Sequence, residues 1–191
     1  MGKLSFIYGV MGSSKSAQAL ITRHNYIQKG FNVILCKPSI DNRGDKETRT
    51  VSSRIGIEAE SLVFDSSDNL IFLYMSNFNY HKENIMIVDE AQFCTKEQID
   101  ELKVLSKNVR VICYGLKTNF RSELFEGSKR LIEIADEIEE ISHICRCGNK
   151  AIINARFING KPTVVGTEIL IGAEESYEAL CYECWKKLLN E

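Results

Sequence analysis

The chain has 191 residues, of which 44% are hydrophobic and 26% are charged, and its formal net charge at pH 7 is −2. This apolar fraction is enough for a folded core and excludes an intrinsically disordered chain. The charge predicts no nucleic-acid partner, and the lack of a long apolar run or signal peptide predicts a cytoplasmic protein without a membrane partner.

Short apolar runs alternate with helical patterns through the first two-thirds of the chain. We predict strands at 3–8, 31–37, 62–64, 85–89 and 109–114, with helices at 16–29, 69–78, 96–106 and 128–135. Polar loops are expected at 41–54 and 116–127. Strongly apolar strands that alternate with helices predict the α/β class, with a parallel sheet covered on both faces.

The pattern changes near residue 136, where β-rich stretches at 138–144, 151–158 and 163–171 follow. We place a domain boundary near residue 140. The expected architecture is a nucleotide-binding domain of the P-loop NTPase type at 1–140 and a small β-rich domain at 141–191.

A phosphate-binding motif follows the first predicted strand, where residues 9–16 read GVMGSSKS. The P-loop pattern is G-x-x-x-x-G-K-[ST], and Ser14 replaces its second glycine. Backbone N–H groups of such a loop point at phosphate oxygens, the lysine reaches the β- and γ-phosphates, and the serine hydroxyl binds Mg²⁺. The predicted ATP and Mg²⁺ ligands are Gly9, Gly12, Ser13, Ser14, Lys15 and Ser16. The alternative is an ordinary Gly/Ser-rich turn.

Two carboxylates end the predicted strand at 85–89, in the sequence IMIVDEAQF. Ligands of open α/β sheets bind at the carboxyl ends of strands. Asp89 is predicted to support Mg²⁺, and Glu90 to act as a general base on a hydroxyl or a water. The alternative is a solvated pair that caps the next helix.

Four of the seven cysteines form two close pairs, Cys145/Cys147 and Cys181/Cys184. Close pairs far apart in a cytosolic sequence indicate a metal site more than disulfides. Four thiolates suit a structural Zn²⁺ and leave no open position for catalysis. The C-x-C spacing of the first pair makes a tighter knuckle than C-x-x-C, and a disulfide remains the alternative.

Together these motifs resemble the thymidine kinase family, which pairs a P-loop core with a zinc-binding lobe. That family carries G-P-M-[FY]-S-G-K-[ST] and then D-E-[AG]-Q-F, the second of which is complete here at 89–93. Similar segments follow the family's order at 37–43, 53–56, 115–125 and 172–179. Departures include Val10, Ser14, Lys117, Leu124 and Asn154.

The resemblance implies transfer of the γ-phosphoryl group of ATP to the 5′-hydroxyl of thymidine or deoxyuridine, with Glu90 as base and Lys15 stabilising charge. It implies that Asp41 and Arg43 lie near the phosphates and Mg²⁺, and that Gln92 holds the ribose. The residues expected around the base are Met11, Leu116, Phe120, Phe125, Asn154, Leu170, Ile171, Gly172 and Tyr177. A homotetramer is also implied.

Two other functions stay open from the residues alone. The Asp-Glu-Ala-Gln sequence is reminiscent of helicases and favours a nucleic-acid-stimulated ATPase, although 191 residues cannot hold two helicase lobes. Ser14 in the phosphate loop favours a nucleotide-binding protein without catalytic activity.

Overall fold

A computed structural model describes residues 2–39, 49–166 and 175–190. Five of the predicted site residues therefore lie outside the described part of the chain: Asp41, Arg43, Leu170, Ile171 and Gly172. Within the described part, no helix combines the length and hydropathy needed to cross a bilayer.

A six-stranded parallel sheet forms the centre of the molecule, in the order β5-β2-β6-β7-β1-β8. Its strands are β1 (Lys3–Tyr8), β2 (Asn32–Pro38), β5 (Leu62–Phe64), β6 (Asn84–Val88), β7 (Arg110–Gly115) and β8 (Glu137–Glu140). Between β2 and β5, the short strands β3 (Thr50–Ser52) and β4 (Glu58–Glu60) pair as an antiparallel hairpin.

Helices cover both faces of this sheet. They are α1 (Lys15–Gln28), α2 (Leu70–Met75), α3 (Lys96–Leu105) and α4 (Glu126–Ile134), with a 3-10 turn at Ala91–Phe93. Alternate residues of a strand face opposite sides. Met86 and Val88 of β6 accordingly pack with α2, α3 and α4, whereas Ile85 and Ile87 pack on the side of α1. Burial on both faces explains why the central strands are almost wholly apolar.

A second, three-stranded antiparallel sheet follows, in the order β10-β9-β11. Its elements are β9 (Ile153–Ile158), β10 (Lys161–Thr163), β11 (Glu175–Leu180) and the last helix α5 (Tyr182–Asn190). Its small apolar cluster includes Ile153, Leu180 and Trp185 and also takes in Val10 of the phosphate loop. This contact joins the β-rich region to the nucleotide-binding core.

The predicted α/β class is confirmed, and the nine strands and helices predicted before residue 136 agree with the structure to within a few residues at their ends. The loop prediction at 41–54 is wrong for Thr50–Ser52, because this strand is too short and polar to produce a periodic pattern. Of the stretch predicted at 138–144, only residues 138–140 lie in a strand: they belong to β8, which extends the central sheet beside β1 rather than the second sheet. The prediction is wrong for 141–144, which form no strand. The strand β11 and the helix α5 were not predicted.

Candidate functional site

The phosphate loop connects β1 to α1 and folds around its own lysine. The Nζ atom of Lys15 donates a hydrogen bond to the carbonyl oxygen of Val10 at 2.8 Å, and Lys15 is only 8% exposed. A Cβ at Gly9 would lie 2.4 Å from Oγ of Ser13 and 3.0 Å from the carbonyl oxygen of Ile141, so a larger residue would displace the Ser13 hydroxyl. Ser14 adopts the left-handed conformation, with φ 64° and ψ 25°, at the position where the P-loop pattern has glycine.

The carboxylates predicted at the end of β6 lie at the carboxyl edge of the central sheet. Asp89 continues the strand, since its N–H donates to the carbonyl oxygen of Cys36 in β2 at 2.9 Å. Glu90 then turns the chain through a left-handed conformation, with φ 53° and ψ 37°. Both residues are almost fully buried. Strained backbone of this kind is concentrated at functional sites.

Gln92 connects Glu90 to the loop that follows β7. Its Nε2 atom donates to Oε2 of Glu90 at 2.5 Å, and its Oε1 atom accepts a hydrogen bond from the N–H of Leu116 at 3.0 Å. A Cβ at Gly115 would lie 2.7 Å from the same Oε1, so the glycine allows the close approach. The buried amide therefore holds the carboxylate and the loop in one arrangement.

A cleft of about 700 Å³ opens between the phosphate loop and the end of β6. Lys15 and Glu90 both line it, together with Asp89, Ser16 and Leu116. Met11, Gly12 and Ser14 complete the predicted residues on its wall. The ammonium group of Lys15 and the carboxylate of Glu90 therefore lie on the wall of one cavity.

Other predicted residues lie away from the wall of this cleft. Ser13 and Gln92 are buried behind it, and Gly9 and Asn154 line a much smaller cavity of about 10 Å³. Phe120 is 2% exposed and packs against the guanidinium groups of Arg121 and Arg156, at 4.8 and 4.6 Å.

Two further predicted aromatic residues are Phe125, which directly precedes α4, and Tyr177, which lies in β11. Phe125 packs edge-on against Phe93, with ring centroids 5.5 Å apart. Tyr177 of β11 pairs with Arg156 of β9 across the second sheet. The structure therefore places these aromatic residues around the 116–125 loop and the second sheet, outside the wall of the cleft.

Asn154 connects the phosphate loop to the 116–125 loop. Its side-chain oxygen accepts a hydrogen bond from the N–H of Met11 at 2.7 Å, and its Nδ2 donates to the carbonyl oxygen of Thr118 at 2.9 Å. Asn154 is 2% exposed, so the residue satisfies two backbone groups in a buried setting. The resemblance implies a place for Asn154 near the base, and the sequence carries no signal for this link, because neither partner is close to Asn154 in sequence.

The four paired cysteines meet in one cluster, with their sulfur atoms all within 4.8 Å of one another. The sulfur atoms of Cys147 and Cys181 are 3.6 Å apart. Tetrahedral Zn²⁺ with Zn–S bonds of about 2.3 Å separates its sulfur ligands by roughly 3.8 Å. The short C-x-C spacing therefore does not prevent the four thiols from converging on one ion.

Hydrogen bonds within the cluster favour a thiolate at Cys145. Burial by itself raises the pKa of this thiol, but hydrogen bonds with the backbone of Cys147 and Cys181 and with the Cys147 and Cys184 thiols lower the pKa from 9.0 to about 6. Hydrogen bonds with Cys147 and Cys181 raise the pKa of Cys184 to about 12. Thiolate is the form that binds metal, so Cys145 is suited to bind Zn²⁺, whereas Cys184 has to lose its proton when the ion binds.

Comparisons with known proteins give a consistent result. The family model for thymidine kinase matches residues 2–185. A thymidine kinase of Legionella pneumophila (strain Philadelphia 1) is 40% identical over 191 residues, which cover 98% of this chain and 90% of the relative. The thymidine kinase of Enterobacteria phage T4 is 40% identical over 194 residues, covering 100% and 99% of the two chains. That of Lactococcus lactis is 42% identical over 184 residues, covering 95% of each.

Proposed function

Since the chain belongs to the thymidine kinase family and phosphorylates thymidine with ATP, we propose that the cleft lined by Lys15 and Glu90 is its active site. The observation that carries this proposal is that the two side chains, far apart in sequence, share one cavity. The family assignment sets aside the nucleic-acid-stimulated ATPase and the non-catalytic binding protein.

In the proposed mechanism, the phosphate loop binds ATP through its backbone N–H groups and Lys15. The 5′-hydroxyl of thymidine attacks the γ-phosphorus while its proton passes to Glu90, and ADP leaves with the electron pair of the broken P–O bond. Gln92 orients Glu90 through the 2.5 Å hydrogen bond. Lys15 stabilises the negative charge on the transferred group.

Ser16 and Asp89 are the residues proposed to hold Mg²⁺. Both line the cleft, and their oxygens are the ligand type that Mg²⁺ prefers. When bound, the ion neutralises charge on the phosphates. Asp41 and Arg43, which lie outside the described residues, stay predictions for the same region.

The nucleoside is proposed to extend from Glu90 towards Met11 and Leu116, which line the cleft. Phe120, Phe125, Asn154 and Tyr177 do not line the cleft and stay predictions for the surroundings of the base. Gln92 stays a prediction for the ribose. Leu170, Ile171 and Gly172 stay predictions for hydrogen bonds to the edge of the base.

The four-cysteine cluster fits a structural Zn²⁺ that stabilises the β-rich region, whose own apolar cluster is small. The division into domains at 1–140 and 141–191 stays a prediction and is supported by β8 ending at Glu140. Deoxyuridine as a second substrate, a homotetramer and a cytoplasmic location also stay predictions. The net charge of −2 supports the absence of a nucleic-acid partner.

A phosphate-transfer assay with γ-labelled ATP and thymidine tests the proposed site. Glu90→Gln is expected to lower kcat by about 10²–10⁴-fold, the range of general-base catalysis, while ATP binding stays nearly intact. Lys15→Met is expected to impair both. Glu60→Gln on β4 is the matched control and should behave as the unaltered enzyme, because Glu60 is exposed and does not line the cleft. Substantial turnover by Glu90→Gln would contradict the proposal.

A further inference from the structure

The β3–β4 hairpin presents an arginine, Arg54, to the cleft. Its turn is closed by hydrogen bonds from the N–H of Ser53 to the carbonyl oxygen of Ile57 at 2.9 Å and from the N–H of Gly56 to that of Ser53 at 3.0 Å. Val51 of β3 is 2% exposed and packs in the apolar cluster on the side of α1. The hairpin is therefore packed against the core, and the turn that carries Arg54 is held in place by its hydrogen bonds.

Arg54 reaches the phosphate loop at Gly12. Its Nη1 atom would lie 3.7 Å from a Cβ built on Gly12, and Nε2 of His143 would lie 3.8 Å from the same point. Arg54 also lines the cleft that contains Lys15, Asp89 and Glu90. Its guanidinium group is thus next to the backbone that is proposed to bind the triphosphate.

No carboxylate neutralises this guanidinium among the residues that the structure describes. Each ion pair found in that part of the chain that involves an arginine uses Arg121, Arg130 or Arg146. Arg54 is exposed and lines the cleft. A charged donor group that faces a phosphate loop without a carboxylate partner is suited to bind an anionic substrate.

We propose that Arg54 is a further catalytic residue, which binds oxygens of the β- and γ-phosphates of ATP from the hairpin side of the cleft. This inference rests on the proposed triphosphate site. The γ-phosphorus exchanges its bond to the β-phosphate oxygen for one to the 5′-oxygen of thymidine, Glu90 takes the proton, and Arg54 stabilises the charge on the oxygens in between.

The chemistry of the group explains why arginine suits this position. Negative charge spreads over the equatorial oxygens of the transferred phosphoryl group in the transition state. A planar guanidinium can donate two parallel hydrogen bonds to such oxygens, whereas an ammonium group acts as a point charge. Lys15 supplies the point charge from the loop, and Arg54 adds a directional pair of donors.

Three variants of the full-length enzyme test the proposal: Arg54→Ala, Arg54→Lys and Arg49→Ala. Arg54→Ala is expected to lower kcat/KM for ATP by about 10²–10³-fold, as for loss of one donor to a transition-state oxygen. Arg54→Lys should recover only part of that loss, and the KM for thymidine should stay unchanged. Arg49 is an exposed arginine at the base of the same hairpin and does not line the cleft, so Arg49→Ala should retain full activity.

Millimolar guanidinium chloride provides a second measurement that does not depend on the stability of the variant. It should raise the rate of Arg54→Ala and leave the rate of Arg49→Ala unchanged. The proposal is overturned if Arg54→Ala has the same kcat/KM for ATP as the unaltered enzyme, or if Arg49→Ala loses as much of that kcat/KM as Arg54→Ala. It is also overturned if guanidinium does not raise the rate of Arg54→Ala. If only the role proposed for Arg54 is wrong, Lys15→Met and Glu90→Gln will still be impaired. If the proposed active site is wrong, Glu90→Gln will remain active.

Discussion

The side-chain amide of Gln92 donates a hydrogen bond to the carboxylate of Glu90, with the two atoms 2.5 Å apart. The other end of the amide accepts a hydrogen bond from the N–H of Leu116. Both side chains are buried, so water cannot easily replace either bond. The orientation of the proposed base is thus coupled to the loop that begins at Leu116.

Gln92→Ala should lower kcat more than it changes the KM for thymidine, because Glu90 loses the group that orients it. The buried N–H of Leu116 loses its acceptor as well, which should cost about 1–3 kcal/mol of unfolding free energy. Gln98→Ala is a matched control: Gln98 is 2% exposed and donates to the carbonyl oxygens of Asp65 and Asp68. Gln98→Ala should destabilise the protein without lowering kcat. A rise in the KM for thymidine alone would instead favour direct contact with the ribose.

Ser14→Gly should stabilise the protein and preserve activity. A non-glycine residue in the left-handed region costs roughly 1–2 kcal/mol, part of which is offset by the greater freedom of glycine in the unfolded chain. Thermal melting should therefore move upward slightly. Ser122 has a similar φ of 65° outside the cleft. Ser122→Gly should give a comparable stability gain, and a loss of ATP binding in Ser14→Gly alone would show that the hydroxyl has a role of its own.

Asn154→Ala should destabilise the enzyme by about 1–3 kcal/mol, because two buried backbone groups lose their partners. Asn154→Asp keeps an acceptor for the N–H of Met11 but places a carboxylate oxygen beside the carbonyl oxygen of Thr118. It should therefore be less stable at neutral pH than in mild acid, where a protonated carboxyl can donate. Chemical denaturation at two pH values measures this, and equal stability at both would contradict the assigned hydrogen bonds.

Replacing Cys184 with serine should remove the bound metal and lower the melting temperature. The cluster then offers three thiolates instead of four, and the folding energy supplied by Zn²⁺ is reduced. A chelator should have the same effect on the unaltered enzyme. Cys36→Ala removes a buried thiol of the central sheet outside the cluster and should retain its metal. Unchanged metal content in Cys184→Ser would exclude a four-cysteine site.

Asp136 gives a pH dependence of stability with a definite sign. Hydrogen bonds from Lys103 and from the N–H of Leu4 lower the pKa of Asp136 from its usual 3.8. The carboxylate therefore stabilises the fold above the pKa of the unfolded state, and this contribution is lost as pH falls through the lower folded-state pKa. Asp136→Asn should lower the melting temperature at pH 7, with the difference disappearing in acid. Glu83→Gln, at an exposed carboxylate, should show no such pattern.

Local signals in the sequence determine much of the fold. Three local signals depend only on neighbours in sequence: the apolar strands of five to seven residues, a glycine after a helix, and the glycine and lysine between β1 and α1. Such signals can be recognised in the sequence itself. The hairpin of β3 and β4 and the strand β11 lacked such signals, because short or polar strands are stabilised by their pairing partners and not by periodicity.

The residues by themselves determined the fold class, the phosphate loop, the acidic strand end and the cysteine pairs. Only the tertiary structure decided which residues distant in sequence come together. Lys15 and Glu90 share a cleft, Arg54 lies next to Gly12, and Asn154 connects two loops. The tertiary structure also placed β8 at the edge of the central sheet. The physical reason is that periodicity and turn chemistry act within a few residues of the chain. These contacts instead depend on which strands and loops lie next to one another in the folded protein.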